Sequence, residues 1–169
     1  MISRIIFVSR IAAENTIGWE NWAVISISEP DSSFGEAKLL DGWFAVHRAC
    51  FHDVDPARPC GEPHVLMNEK HARDIVAFIH EVAPNVEGIL VHCKAGVSRS
   101  AAVAKWIADT YDMPFPTKYD AYNRYVYAKL AEAKSNLLPR EGYTLKELVA
   151  QCNPNAPMPA EVSDWENNG

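Results

Sequence analysis

The sequence predicts an α/β fold in which a central mixed, mainly parallel sheet is flanked by helices. Three observations favour this class. Short runs rich in β-branched residues alternate along the chain with segments of helical periodicity. One such run, Gly88–His92, is almost wholly apolar, which is typical of a central strand covered on both faces. The segment after it is rich in alanine, whose small side chain allows a helix to pack closely on a sheet.

The first half of the chain supplies three predicted strands and one loop. Arg4–Ser9 and Ala23–Ser28 are rich in Ile and Val, and Trp43–Phe51 is the third predicted strand. Asp53–His64 contains three prolines and one glycine. Proline removes a backbone donor and glycine weakens regular elements, so we expect this segment to be a loop.

The second half supplies most of the helices. It contains one predicted strand, Gly88–His92. The predicted helices are Asn68–Val82, Ser98–Tyr111, Lys118–Ala133 and Leu145–Val149. We expect residues 1–151 to form a single domain. Residues 152–169 hold three prolines, four asparagines and no basic residue, so we expect a flexible C-terminal tail there.

Composition excludes several classes of protein. The chain has 169 residues, of which 48% are apolar and 22% charged, which is ordinary for one globular domain and excludes a disordered chain. Sixteen basic and twenty-two acidic residues give a net charge of −6. An acidic chain disfavours bulk binding to nucleic acid or to an anionic membrane. No apolar run reaches the roughly 18 residues that a membrane span needs, so we expect no membrane insertion.

The cysteines and histidines predict neither a metal site nor a disulfide framework. The four cysteines form no CxxC pair and are Cys50, Cys60, Cys93 and Cys152. Four histidines fit no simple ligand spacing and are His47, His52, His64 and His71. We therefore expect no metal and no cofactor. A reduced, cytoplasmic location is the simplest expectation for scattered thiols, and we interpret the N-terminus as a strand and not as a signal peptide.

One segment carries the chemistry: residues 91–100, with the sequence VHCKAGVSRS, between a predicted buried strand and a predicted helix. Gly96 tolerates unusual backbone angles, so the amides of residues 94–99 can curve around one centre. The following helix directs its free N–H groups and its dipole at the same centre. Arg99 can hold two oxygens of one anion with its planar guanidinium. The segment therefore predicts a site for a tetrahedral dianion such as phosphate.

The same electrostatic environment acts on Cys93. Amide donors, a helix N-terminus and a guanidinium all favour a thiolate, which is the nucleophilic form of cysteine. The hydroxyl of Ser100 can donate to the sulfur and help it to leave in a second step. We expect His92 to brace the loop by hydrogen bonding and not to move protons.

A structural interpretation of this segment also exists, namely a buried cysteine at a strand end followed by a helix that Ser98 caps. It does not account for the whole pattern. Five positions coincide at fixed spacing: His92, Cys93, Gly96, Arg99 and Ser100. At typical residue frequencies such a match arises by chance at on the order of one site in a million.

The segment His92-Cys93-x5-Arg99-Ser100 resembles the signature of the cysteine-dependent protein tyrosine phosphatase superfamily. Residues Gly96 to Ser100, which end this segment, resemble the signature of the dual-specificity type more closely than that of the longer tyrosine-only domains. The resemblance runs from about Asp53 to about Leu130. It implies a single phosphatase domain that hydrolyses phosphoesters through a phosphocysteine intermediate without a metal. The implied phosphate-binding residues are Lys94, Ala95, Gly96, Val97, Ser98 and Arg99.

The resemblance also implies a general acid, an aspartate on a loop upstream of the nucleophile, which protonates the leaving oxygen. Two candidates fit, Asp53 and Asp55. We favour Asp53 because it directly follows the aromatic end of the third predicted strand. The alternative for either carboxylate is a solvated loop residue or a turn cap.

Two other functions remain open from the sequence. One is a phosphate-binding module with weak or no turnover, and the other is an arsenate reductase that uses the same loop and a second thiol. The expected partner is a phosphorylated protein or a small phosphoester. The sequence does not identify the physiological substrate or the oligomeric state. It also does not decide between specificity for phosphotyrosine alone and dual specificity. A disulfide between Cys93 and Cys50 or Cys60 is a further possibility, because a thiolate oxidises readily.

Overall fold

The computed structural model describes residues 1–56 and 64–137. The chain divides into two compact units, Met1–Ser135 and Asn136–Gly169. Every element below lies in the first unit, apart from the last two residues of the final helix. The predicted helix at Leu145–Val149 and the predicted tail at residues 152–169 lie outside the described residues.

Strands and helices alternate as the α/β prediction requires, and that class is confirmed. In chain order the elements are β1 (Arg4–Ser9), α1 (Arg10–Glu14), β2 (Trp22–Ser28), β3 (Ala45–Cys50), α2 (Glu69–Val82), β4 (Gly88–Cys93), α3 (Arg99–Thr110) and α4 (Arg124–Leu137).

The four strands form one sheet in the order β1-β4-β2-β3, and every pairing among them is parallel. All six residues of β4 are buried, as expected for an apolar strand between two neighbours. In a parallel sheet the carboxyl ends of the strands meet at one edge. The loops that follow β1, β2, β3 and β4 therefore converge there, which is where α/β proteins bind ligands.

The two faces of the sheet are covered differently. Odd-numbered residues of β2 and β4 pack into the main core with α2, α3 and α4. Even-numbered residues of the same strands form a smaller cluster with Ala13 of α1 and with Leu39 and Trp43. Because side chains alternate across a strand, Cys93 faces the α3 side and His92 faces the α1 side.

Helix α2 shows how local sequence sets an element. Asn68 caps it by accepting from the amide of His71, whose ring in turn accepts from the amide of Asn68. One face of the helix is apolar, and five of its residues are buried against the sheet: Ala72, Ile75, Val76, Ile79 and Val82.

Two predictions need correction, and one helix was not predicted. The last described helix begins at Arg124 and not at Lys118, because Asn123 accepts from the amide of Val126 and so caps the helix there. The short helix α1 was not predicted; Ser9 caps it by accepting from the amide of Ala12. The third strand is shorter than Trp43–Phe51 and covers only Ala45–Cys50.

Within residues 1–56 and 64–137, no helix has the length and apolarity to cross a membrane. The same part of the chain contains no cluster of three or more His, Cys, Asp or Glu side chains that could hold a metal ion.

Candidate active site

The predicted site lies where β4 ends and α3 begins. Residues 94–98 form the connecting loop, and together with Cys93 and Arg99 we call this segment the phosphate loop. Its backbone is held from one side by α1, since Arg10 donates its amide hydrogen to the carbonyl of Lys94 at 3.3 Å. On the other side, Tyr119 donates its hydroxyl hydrogen to the carbonyl of Val97 at 2.7 Å. The loop is therefore braced at both ends of its curve.

Gly96 is required at the centre of the phosphate loop for two reasons. Its φ is +74°, in the left-handed region that favours glycine. A Cβ atom at this position would lie 2.3 Å from the amide nitrogen of Ser9 and 2.4 Å from the carbonyl carbon of Val8. The loop thus packs directly on the backbone at the end of β1, and no side chain fits between them.

Cys93 is 1% exposed at the floor of the phosphate loop. Its Sγ lies 3.2 Å from Oγ of Ser100. Burial by itself raises the pKa of the Cys93 thiol. Hydrogen bonds from the hydroxyl and amide of Ser100 and from the amide of Gly96, together with the charge of Arg99, outweigh burial and leave the pKa below its usual value. The arrangement therefore favours a thiolate.

Arg99 is among the largest fully buried side chains of the described residues, at 1% exposure. Nη1 donates to the carbonyl of Phe51 at 2.6 Å and to that of Ser28 at 3.4 Å. Nη2 donates to Oε1 of Glu29 at 2.9 Å. Nε is buried and has no hydrogen-bond partner among the described residues. Since Nε–H and the second Nη2–H point in the same direction, this edge of the guanidinium can donate to two oxygens of an anion.

Glu29, in the turn after β2, joins two cations of the site. It binds Arg99 through Oε1, and Oε2 lies 3.3 Å from Nζ of Lys94. Burial raises the pKa of Glu29, but the charge of Arg99 and the contact with Lys94 outweigh it, so the pKa is lower than usual. An ionised Glu29 therefore fixes the orientation of the guanidinium. A cavity of about 620 Å³ adjoins Glu29 and Lys94 and extends to α1.

Asp53 lies against the phosphate loop. Its Oδ1 accepts from Oγ of Ser98 at 2.8 Å and from Nδ2 of Asn123 at 2.9 Å. Its Oδ2 lies 3.7 Å from the unpartnered Nε of Arg99. Both Asp53 and the alternative candidate Asp55 line a second cavity of about 580 Å³. The structure thus brings together Asp53, Cys93 and Arg99, three groups that lie far apart in the sequence.

His92 is buried on the opposite face of the sheet from Cys93. Its Nε2 lies 2.8 Å from Oγ of Ser26 on the neighbouring strand β2. Burial lowers the pKa of His92 to about 4, so the ring is neutral near pH 7. A neutral, hydrogen-bonded ring on that face supports the strand end and cannot reach the leaving group.

Sequence reasoning missed three residues of the site: Glu29, Tyr119 and Asn123. Asn123 is 7% exposed, and it holds Asp53 with Nδ2 while it caps α4 with Oδ1. Glu29 could have been found, because a polar residue at the end of a strand next to β4 is expected at the ligand-binding edge. Tyr119 and Asn123 precede α4 in a segment for which a helix was predicted, so their role was hidden.

The only two cysteines among the described residues are Cys50, which is exposed, and Cys93. Cys50 ends β3, and β2 lies between β3 and β4. Two strand spacings of about 4.8 Å place these cysteines beyond the roughly 7 Å between Cα atoms that a disulfide requires. This geometry disfavours Cys50 both as a redox partner and as a second thiol for arsenate reduction. Cys60 lies outside the described residues.

A segment of 34 residues, 20% of this chain, is 56% identical to dual specificity protein phosphatase 22 from Xenopus tropicalis and, equally, from Xenopus laevis. The predicted resemblance to the dual-specificity type of phosphatase is confirmed. The match spans 16% of the length of these relatives, so it bears on a part of the dual specificity phosphatase fold and not on the whole protein.

The other comparisons add less. No family model matches the chain. A crystal structure of the human tyrosine phosphatase-like serine/threonine/tyrosine-interacting protein is 19% identical, with a TM-score of 0.46, over 82% of this chain and 84% of that one.

Proposed function

We propose that this protein is a cysteine-dependent phosphatase of the dual-specificity type, which hydrolyses phosphoric monoesters through a phosphocysteine intermediate. Residues 1–151 would form the phosphatase domain. The observation that carries the proposal is the pairing of a buried thiol of lowered pKa with a buried guanidinium whose Nε–H makes no hydrogen bond to the described residues. A purely structural cysteine and arginine would need neither feature.

In the first step the Cys93 thiolate attacks phosphorus in line with the ester bond. An S–P bond forms and the bond from phosphorus to the leaving oxygen breaks. Arg99 and the amides of the phosphate loop stabilise the three equatorial oxygens, where the transition state carries its charge. Asp53 gives a proton to the leaving oxygen, which leaves as the neutral alcohol or phenol.

In the second step water attacks the phosphocysteine. Asp53, now a carboxylate, accepts a proton from that water while the S–P bond breaks. The departing sulfur regains its negative charge, and the hydroxyl of Ser100 at 3.2 Å stabilises it by donating a hydrogen bond. The products are inorganic phosphate and the starting thiolate.

The contacts of Asp53 support its assignment as the general acid. It is held by Ser98 and Asn123 and lies 3.7 Å from Nε of Arg99. The substrate class that fits is a phosphorylated protein or a small phosphoester. A reducing, cytoplasmic location belongs to the proposal, because a low-pKa thiolate must stay reduced to act.

The test is a rapid-quench assay with p-nitrophenyl phosphate. We expect a burst of p-nitrophenol and a phosphoryl adduct on the peptide that carries Cys93, found by mass spectrometry. Phosphate binding without any turnover would favour a binding module instead. Arsenate-dependent consumption of thiol with negligible phosphate release would favour arsenate reduction. Either result would contradict the proposal.

A further inference from the structure

His52 lies in the chain between two residues of the site. The carbonyl of Phe51, before it, accepts from Arg99 at 2.6 Å, and Asp53, after it, is the proposed general acid. The side chain of His52 is 13% exposed and does not point at the phosphate loop in any described contact. Among the described residues, the side chain of His52 contacts Asp31, His64 and Val65.

Two hydrogen bonds join His52 to Val65. The amide of His52 donates to the carbonyl of Val65 at 2.8 Å, and the amide of Val65 donates to Nδ1 of His52 at 2.9 Å. Val65 precedes α2, so these bonds fix the second residue after the end of β3 to the segment that leads into that helix. In a regular pair of strands the amide of Val65 would donate to a backbone carbonyl. Here it donates to the ring of His52 instead.

The opposite ring nitrogen reaches a third segment. Nε2 of His52 lies 3.2 Å from Oδ2 of Asp31, two residues after Glu29. Since Nδ1 accepts from an amide, it carries no proton, and the ring proton must lie on Nε2, where it can be donated to Asp31. The ring also packs edge-on against His64, with centroids 5.0 Å apart. The tautomer with its proton on Nε2 therefore satisfies both the contact with Val65 and the contact with Asp31.

We propose that His52 is a positioning residue: through its two hydrogen bonds with Val65 it holds the backbone so that Asp53 stays within reach of the leaving oxygen. This inference rests on the proposed function. It assigns no chemistry to His52 itself, because the proton still moves between Asp53 and the substrate. Catalytic groups must be held close to their productive geometry, and small misplacements are costly.

The test compares His52→Ala with His52→Asn. The Oδ1 atom of Asn can accept from the amide of Val65 in place of Nδ1, whereas Ala has no acceptor. With phenyl phosphate, whose leaving group needs protonation, we expect His52→Ala to lower kcat about tenfold or more, and His52→Asn to stay within about threefold of the wild type. Inhibition by inorganic phosphate should stay unchanged, since the phosphate loop is untouched.

A double-mutant cycle with Asp53→Asn decides whether His52 acts through the acid. We expect His52→Ala to have no further effect on kcat once Asp53→Asn is present. Independent, multiplicative losses would overturn the proposal. So would full activity of His52→Ala, or a His52→Asn variant that is as slow as His52→Ala while its thermal unfolding matches the wild type.

A second readout separates this inference from the proposed function. Hydrogen exchange at the amide of Val65, followed by NMR, should accelerate in His52→Ala and stay slow in His52→Asn. A wild-type protein without turnover would defeat the phosphatase proposal, and unchanged exchange at Val65 in His52→Ala would defeat the positioning role.

Discussion

Ser98 donates its hydroxyl hydrogen to Oδ1 of Asp53 across 2.8 Å, and so joins the residue before α3 to the loop after β3. Ser98 occupies the N-cap of α3, yet its side chain makes no bond to that helix. The first amides of α3 therefore lack the side-chain acceptor that a serine usually supplies there. Apart from the amide of Ser100, which donates to Cys93, these donors stay available for an anion in the phosphate loop.

Replacing the nucleophile separates binding from turnover. In Cys93→Ser we expect release of p-nitrophenol to fall by at least about a thousandfold, because a serine hydroxyl is not ionised where the thiol is. Affinity for inorganic phosphate, measured by calorimetry, should be retained, since Arg99 and the loop amides are unchanged. Retained turnover in this variant is incompatible with the mechanism.

Two neighbouring aspartates give a matched test of the general acid. Asp53→Asn should slow phenyl phosphate hydrolysis by about 100-fold or more, because the departing phenolate then has no proton donor. Asp55→Asn is the control and should keep the wild-type rate. The reverse result would assign the role to Asp55.

Ser100→Ala tests the second step. Without its hydroxyl at 3.2 Å, the pKa of Cys93 rises and the sulfur leaves phosphorus less readily. We expect a larger burst followed by a slower steady state, with the phosphocysteine accumulating in quenched samples. A variant that shows a smaller burst and an unchanged steady state would place Ser100 outside this step.

Two glycines with positive φ give a matched pair for stability. Gly96→Ala should lower the free energy of unfolding by more than about 3 kcal/mol and abolish turnover, since its Cβ would overlap the backbone of Ser9. Gly35 has φ +59° but no atom within 4 Å of the added Cβ. Gly35→Ala should therefore cost only about 1 kcal/mol, for the backbone conformation alone. Chemical denaturation measures both, and equal losses would contradict this account of the loop.

His92 predicts an acid-dependent loss of stability. Its pKa is about 4 in the folded protein and near the ordinary 6.5 when unfolded, so between these values the unfolded chain binds more protons. The contribution of His92 to the free energy of unfolding is fully present above pH 6.5. It is lost as the pH falls towards 4, by up to about 3 kcal/mol. His92→Gln should show a correspondingly shallower pH dependence in urea titrations. Parallel curves for the two proteins would refute the assignment.

The sequence predicted correctly those features that depend only on residues close together in the chain. The bounds of β1 were right because a β-rich run ends at the residue that caps α1, and the loop between β4 and α3 was recognisable from its spacing. The predicted start of α4 was wrong because Tyr122, one helical turn before Tyr125 and Val126, extends their apolar face in the sequence, while the cap at Asn123 depends on its contact with Val126. Local periodicity cannot distinguish a packed loop from a first helical turn.

The partners of the site could not be read from the chain in the same way. Glu29 and Asn123 lie 70 residues from the groups they hold, Arg99 and Asp53 respectively. Such pairs come into contact only once the parallel strand order is known. The sequence therefore identified which groups could react, whereas the structure identified which groups hold them in place.

The contact between Gly96 and the end of β1 has a consequence for protein engineering. A peptide or a foreign scaffold that carries only residues 92–100 lacks the backbone of Val8 and Ser9, on which the curve of the loop rests. Grafting the motif alone should give a cysteine of ordinary reactivity. A transplant would have to bring the first strand with it.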